Sequence, residues 1–325
     1  MKIKAKKRIA ATALAILLVA VVLLDYYLLA VTNFKAYGST LTVDEETSTL
    51  SFDGESLKIL QLSDVQTANL VESAIAYPML KRVVKRAEPD LIVLTGDNIS
   101  NGSTRAVLNT FVRLMDSFEI PWALVFGNHD IRSAVSPEDI SSAYESSEYC
   151  LFKRGNIQNR YGNYYYKIAH LGEVFYSLVF MDSADSSFTP EQVKWYSESI
   201  KSISAECGYT VPSFAFFHIP IAETKAAHEA YAIDPSIGTG RLVDEIRTQD
   251  DTGFFDTLLT LGSTKALFYG HDHRNNTRIN YMGVTFAYAT KTGRTVYYER
   301  DSLGGNLITL YPSGEFTIET VHGNP

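Results

Sequence analysis

Polar and apolar positions change rhythm several times along the chain. From Ile9 to Leu24 the sequence is uncharged and almost wholly apolar, and after Asp25 the apolar character returns as YYLLAV. About 20 such residues span a bilayer as a helix, so 9–30 is expected to be a transmembrane signal anchor, with Tyr26 and Tyr27 at the interface. A cleaved signal peptide is the alternative. Residues 31–56 read as a polar, turn-rich stalk or lead-in. Short apolar runs then alternate with helical periodicity: strands at 57–63, 90–95 and 121–127, and helices at 72–87 and 104–118. That alternation predicts βαβ units around a parallel sheet. Farther on, 164–169 and 174–182 predict a hairpin. The TPEQ that follows predicts a helix start, with Thr189 as cap, Pro190 in the first turn and Gln192 closing a capping box. Two more buried strands are expected at 214–218 and 265–271, and antiparallel strands from Arg278 to His322. Residues 57–325 are expected to form one domain whose two halves are layers of a single core.

Charge divides the chain further. The formal net charge is −8, yet residues 1–8 hold five basic groups and no acid, leaving 24 basic against 37 acidic groups, or −13, beyond them. The basic leader before an apolar segment predicts a cytoplasmic N-terminus and a body outside the cytoplasm, or a secreted body if the leader is cleaved. The acidic body lacks the basic footprint of a nucleic-acid binder. Cys150 and Cys207 then lie in an oxidising setting, where a disulfide and two buried thiols are both open.

The chemistry collects where strands end. Asp64 and Gln66 follow the first, Asp97 the second, Asn128 and His129 the third, His218 the fourth, and His271 and His273 the fifth. Carboxyl ends of strands in an α/β sheet converge on one crevice. Taken singly, Asp64 is an ordinary helix cap, Gly-Asp and Gly-Asn are ordinary turns, and His218 is an ordinary core histidine. Together they make an oxygen and nitrogen site suited to Mn, Fe, Zn or Mg. Arg241, Arg274 and Arg294 are candidates for holding a substrate phosphate, and the stretch from Ile219 to Asp251 reads as a loop with a short helix over the cleft.

SDVQ, TGDN, FGNHD, the lone histidine of FFHIP, and YGHDH stand in the order D-x-H, G-D, G-N-H-[DE], H and G-H-x-H, a pattern that resembles the calcineurin-like metallophosphoesterases. TPEQVKW, TGFFDTLL and TGRTVYY are similar to the branch near purple acid phosphatases and their yeast cell-cycle relatives. The resemblance implies a four-layer sandwich of two mixed sheets flanked by helices, and two metal ions bridged by Asp97. One ion would take Asp64, Gln66 and His273; the other Asn128, His218 and His271. The implied activity is hydrolysis of a phosphomonoester or phosphodiester by a hydroxide bridging the metals, with His129, oriented by Asp130 or Asp97, beside the leaving oxygen. The substrate would be a phosphorylated small molecule or a cell-envelope phosphate. Two positions depart from the pattern. Gln66 stands where the first block has histidine, which predicts a weaker first metal, and Ser100 stands where purple acid phosphatases have the tyrosine of their chromophore. A silent phospho-ligand-binding module on the same fold is the competing expectation.

Overall fold

The computed structural model describes residues 11–21, 39–183 and 186–324. Residues 11–21 form a helix, α1, with exposed side chains at 11–20. The leader 1–8, residues 9–10 and 22–30 of the expected anchor, and 31–38 of the expected lead-in lie outside the described residues. Among the described residues no helix is long and apolar enough to cross a membrane.

The rest builds two mixed sheets. The smaller runs in the order β14 (Phe316–His322), β13 (Gly304–Leu310), β3 (Leu57–Leu62), β4 (Leu91–Thr95), β5 (Trp122–Val125). β3, β4 and β5 are parallel, as the βαβ rhythm predicts, while β13 is antiparallel to β3. The helices after β3 and β4 are α2 (Leu70–Ala87) and α3 (Arg105–Asp116). Asn69 caps α2 by accepting from Val71 and Glu72 N–H groups.

The larger sheet has nine strands, ordered β1 (Thr42–Asp44), β2 (Thr49–Phe52), β6 (Tyr164–His170), β7 (Glu173–Phe180), β8 (Ser213–Phe216), β10 (Thr264–Tyr269), β12 (Val284–Tyr288), β11 (Arg278–Tyr281), β9 (Gly238–Thr239). Alternation along its central strands builds two cores. Phe214, Phe216 and Phe268 face the smaller sheet, where Phe214 meets Phe316 edge-on at 4.9 Å. Ala215, Phe217, Leu267 and Tyr269 face a second core closed by Tyr196 and Ile200 of α6 (Pro190–Cys207) and Phe254 of α8 (Phe254–Leu261). Thr189, Pro190 and Gln192 form the expected capping box at the start of α6.

Two expectations change, and one open alternative is resolved. The lead-in at 31–56 is no simple stalk, because β1 and β2 form the edge of the larger sheet and bury Leu50 and Phe52; β2 gains its place by pairing parallel to β6. The tail after Arg278 is only partly antiparallel, since β12 runs parallel to β10. The Cys150 and Cys207 thiols are both free.

β5 is an edge strand whose free backbone groups must find partners. Trp122 pairs with Tyr149 and Leu151 through their backbones, and the Tyr164 hydroxyl bonds both N–H and C=O of Leu124. That hydroxyl ties the two sheets together across the inner core. Tyr164→Phe keeps the ring stacked on Phe180 but orphans two buried groups. We expect it to lower the unfolding free energy by about 1–3 kcal/mol in urea titrations; an unchanged midpoint would show the tie to be energetically neutral.

Candidate metal centre

Each chemical residue lies just past a strand end, and the loops that carry them interlock. Asp64 N–H bonds Gly96 O at 3.1 Å, and Gln66 N–H bonds Asp97 O at 2.9 Å. Asp64, Gln66, Asp97 and His271 all have left-handed backbones, with φ of 55°, 47°, 53° and 78°. Such conformations cost of order 1–3 kcal/mol each and persist where surrounding structure enforces them, commonly at functional sites. The three glycines before Asp97, Asn128 and His271 serve different needs. Gly96 is itself left-handed at φ 86°, whereas Gly127 and Gly270 are required by close approach: a Cβ would lie 2.2 Å from Asp97 Oδ1 and 2.6 Å from Asp64 Oδ2, respectively.

The side chains converge. Asp64, Asp97 and His273 each present a ligand atom, all within 4.8 Å of one another. His273 Nε2 is 3.2 Å from Asp64 Oδ1, and His218 Nε2 is 3.3 Å from Asp97 Oδ2. Both rings are held from behind: Nδ1 of His273 bonds Tyr297 O at 3.0 Å, and Nδ1 of His218 bonds Thr95 O at 2.8 Å. A carbonyl only accepts, so each Nδ1 carries a hydrogen and each Nε2 is left facing a carboxylate, with either a proton or a cation to be held between them. With the rings neutral, their Nε2 lone pairs face carboxylate oxygens, an arrangement that a bound cation would satisfy. Asp64 Oδ1, Asn128 Oδ1 and His218 Nε2 are moreover buried with no hydrogen bond among the described residues. This donor set fits the ions expected from the sequence, and Asp64, Asp97, Asn128, His218, His271 and His273 are the residues that would hold them.

Burial pushes Asp64 and Asp97 upward, but His273 and His218 outweigh it and hold both carboxyls below the usual range. His218 is pulled down by burial, yet Asp97 lifts it to about 9. His271 is pressed down to about 3 by burial and by His218, which keeps it neutral and able to ligate.

Two site residues behave otherwise than expected. Gln66 donates its amide to Asp97 Oδ2 at 2.7 Å and accepts from Lys291 Nζ at 3.2 Å, so its polar atoms are already engaged. Asp130 does not orient His129: it is fully buried and accepts from Ile99 N, Gly127 N and Asn98 Nδ2. Burial and the Asp97 charge raise Asp130 to about 7. His129 instead leans on Asp97, with its N–H 2.8 Å from Oδ1 and its Nε2 3.8 Å from Oδ2.

A cleft of about 480 Å³ opens over Asp97, Asn128, His129, His271 and His273. Among the described residues its arginines are Arg132 and Arg247, not the three expected ones. Arg241 bonds Ser302, Arg274 is paired to Asp244, and Arg294 bonds Asn324. These loop arginines are held by partners that do not line the cleft. Arg247 is fixed at the cleft by Asp272 Oδ1 at 2.9 Å, His271 O at 3.1 Å and the Tyr297 hydroxyl at 2.7 Å. It belongs to the 219–251 segment, which contains α7 (Thr224–Ile233) as the expected short helix. His228, which belongs to none of the strand-end blocks, is buried on α7 against Thr277. Lys291 was missed altogether. Its signal is that β12 runs parallel to β10, so the chain after β12 reaches the same crevice.

The chain belongs to the calcineurin-like phosphoesterase family, whose pattern it matches over residues 57–275. It is 25% identical over 293 residues to probable inactive purple acid phosphatase 28 of Arabidopsis thaliana, covering 75% of this chain and 72% of that protein. It is 28% identical over 222 residues to phosphatase DCR2 of Saccharomyces cerevisiae, covering 61% and 38%. The fold is shared with a dimetal phosphatase from Danio rerio at a TM-score of 0.52 and 13% identity, over 82% of this chain and all of that one.

Gly127→Ala forces a methyl group into Asp97. We expect Mn²⁺ affinity, read by isothermal titration calorimetry, to fall by about 10- to 100-fold; undiminished binding would mean that Asp97 is not a ligand.

Proposed function

We propose that the protein is a metal-dependent phosphoesterase that hydrolyses a phosphomonoester or phosphodiester, anchored through residues 9–30 with its domain outside the cytoplasm. The observation that carries the catalytic reading is the pair of histidine Nε2 atoms aimed at two buried carboxylates. Divalent cations held there would acidify water and neutralise the phosphoryl oxygens. The chain supplies the rest. Arg247 would bind a phosphoryl oxygen, its guanidinium already oriented by Asp272 and Tyr297, with Arg132 as a second cation on the cleft wall. His129, half-buried on the cleft wall, would give a proton to the leaving oxygen. The bond from His129 N–H to Asp97 Oδ1 and the interlocked loops hold these groups in place. A phosphorylated small molecule or cell-envelope phosphate suits a cleft of this size and charge.

Engagement of Gln66 by Lys291 favours a second reading, a weak or silent phospho-ligand-binding module. Several relatives bear the word inactive in their names.

The two readings separate on p-nitrophenyl phosphate and bis-p-nitrophenyl phosphate with added Mn²⁺. The phosphoesterase reading expects turnover of at least one, abolished by chelation, with kcat lowered about 100-fold or more in His129→Ala and KM raised in Arg247→Ala. No turnover of either compound with any divalent metal leaves the binding module as the function.

A further inference from the structure

Lys291 brings a positive charge into the centre that no recognised block of the pattern contains. It is 1% exposed, and its Nζ donates to Asp64 O at 2.8 Å and to Gln66 Oε1 at 3.2 Å. Gln66 passes the contact on through its amide N–H to Asp97 Oδ2. The direction of this relay is fixed by chemistry: an ammonium only donates and an ionised carboxylate only accepts, so the amide must turn its oxygen to Lys291 and its nitrogen to Asp97. The oxygen a cation would need is therefore turned away toward Lys291.

We propose that Lys291, acting through Gln66, is a built-in cation that takes over part of the charge of the metal on the Asp64 and His273 side, so that the centre binds one divalent ion tightly and a second far more weakly. This rests on the metal-dependent reading above. With the histidines neutral as ligands, two ionised carboxylates and one ammonium leave a single negative charge, which one divalent ion already exceeds. A second ion must then enter beside a like charge held in a buried, poorly screened setting. It also finds one ligand fewer, because Gln66 is engaged. Asp64, Asp97 and His273 still converge, so the position is weakened and not erased. The site on the Asn128, His218 and His271 side has no such neighbour among the contacts of Lys291 and keeps its full set.

The test is Mn²⁺ stoichiometry and affinity on the full chain, by calorimetry and by metal analysis after equilibrium dialysis, with folding of each variant checked by circular dichroism. Wild type is expected to bind one Mn²⁺ at least about tenfold more tightly than a second. Lys291→Met should tighten the second ion by about tenfold or more, and Gln66→His combined with Lys291→Met should bring the two close to parity. Should Lys291→Met not fold, Lys291→Gln removes the charge while keeping a donor and must tighten the second ion likewise. Two equally tight ions in wild type, or a second affinity unmoved in the folded variants, overturns the proposal while leaving the phosphoesterase reading intact. No binding of Mn²⁺ or of any other divalent metal overturns both.

Discussion

Two carboxylates, Asp64 and Asp97, sit essentially without solvent at the ends of neighbouring parallel strands. Burying one ionised carboxylate is costly, and burying two side by side adds their repulsion, so everything around them must supply compensating positive charge. His218, His273 and Lys291 do so directly. The backbone does so as well, since His129 N–H and His271 N–H point at the two carboxyls. The left-handed turns and the glycines without room for a Cβ follow from the same need. Only sharp, tightly stacked loops bring that many donors within reach of two acids.

The two sheets serve this arrangement unequally. The smaller sheet provides Asp64, Asp97, Asn128 and His129 from three adjacent parallel strands, while the larger provides His218 and the GHDH pair. Neither half holds the centre alone. The aromatic layer between the sheets, with Phe216 stacked on Phe180 and Phe268, sets how far apart the two sets of ligands lie. The Tyr164 hydroxyl adds a directional contact to that otherwise non-directional packing. Catalytic geometry and core packing are thus one constraint.

What could be read directly from the chain was whatever depends on near neighbours. The capping box at Thr189 and Gln192 is closed within four residues, and the strand-end blocks carry their own glycines and ligands. What escaped depends on partners far along the chain. Lys291 resembles any polar residue after a strand until β12 is known to run beside β10. Arg247 differs from Arg241 and Arg274 only because Asp272 and Tyr297 happen to flank it. His228 looks polar in a loop, but α7 lays it against Thr277. The β1 and β2 strands look like a polar lead-in because each is short and only one face is covered. Gln66 was rightly seen as the departure from the family pattern, although the lysine that engages it was not.

The long reach of these contacts bears on the order in which the molecule can assemble. Asp64 and Lys291 are separated by 227 positions, and β3 lies between β4 and β13, the latter beginning at Gly304. Contacts so distant in sequence form late, because a long loop must close before they return any energy. A chain emerging N-terminus first therefore carries its acids with the smaller sheet still open along β3 until β13 has followed. Only when the segment holding Lys291 and β13 arrives are the lysine and the covering strand in place, so the acids gain their buried countercharge and their neighbouring strand together.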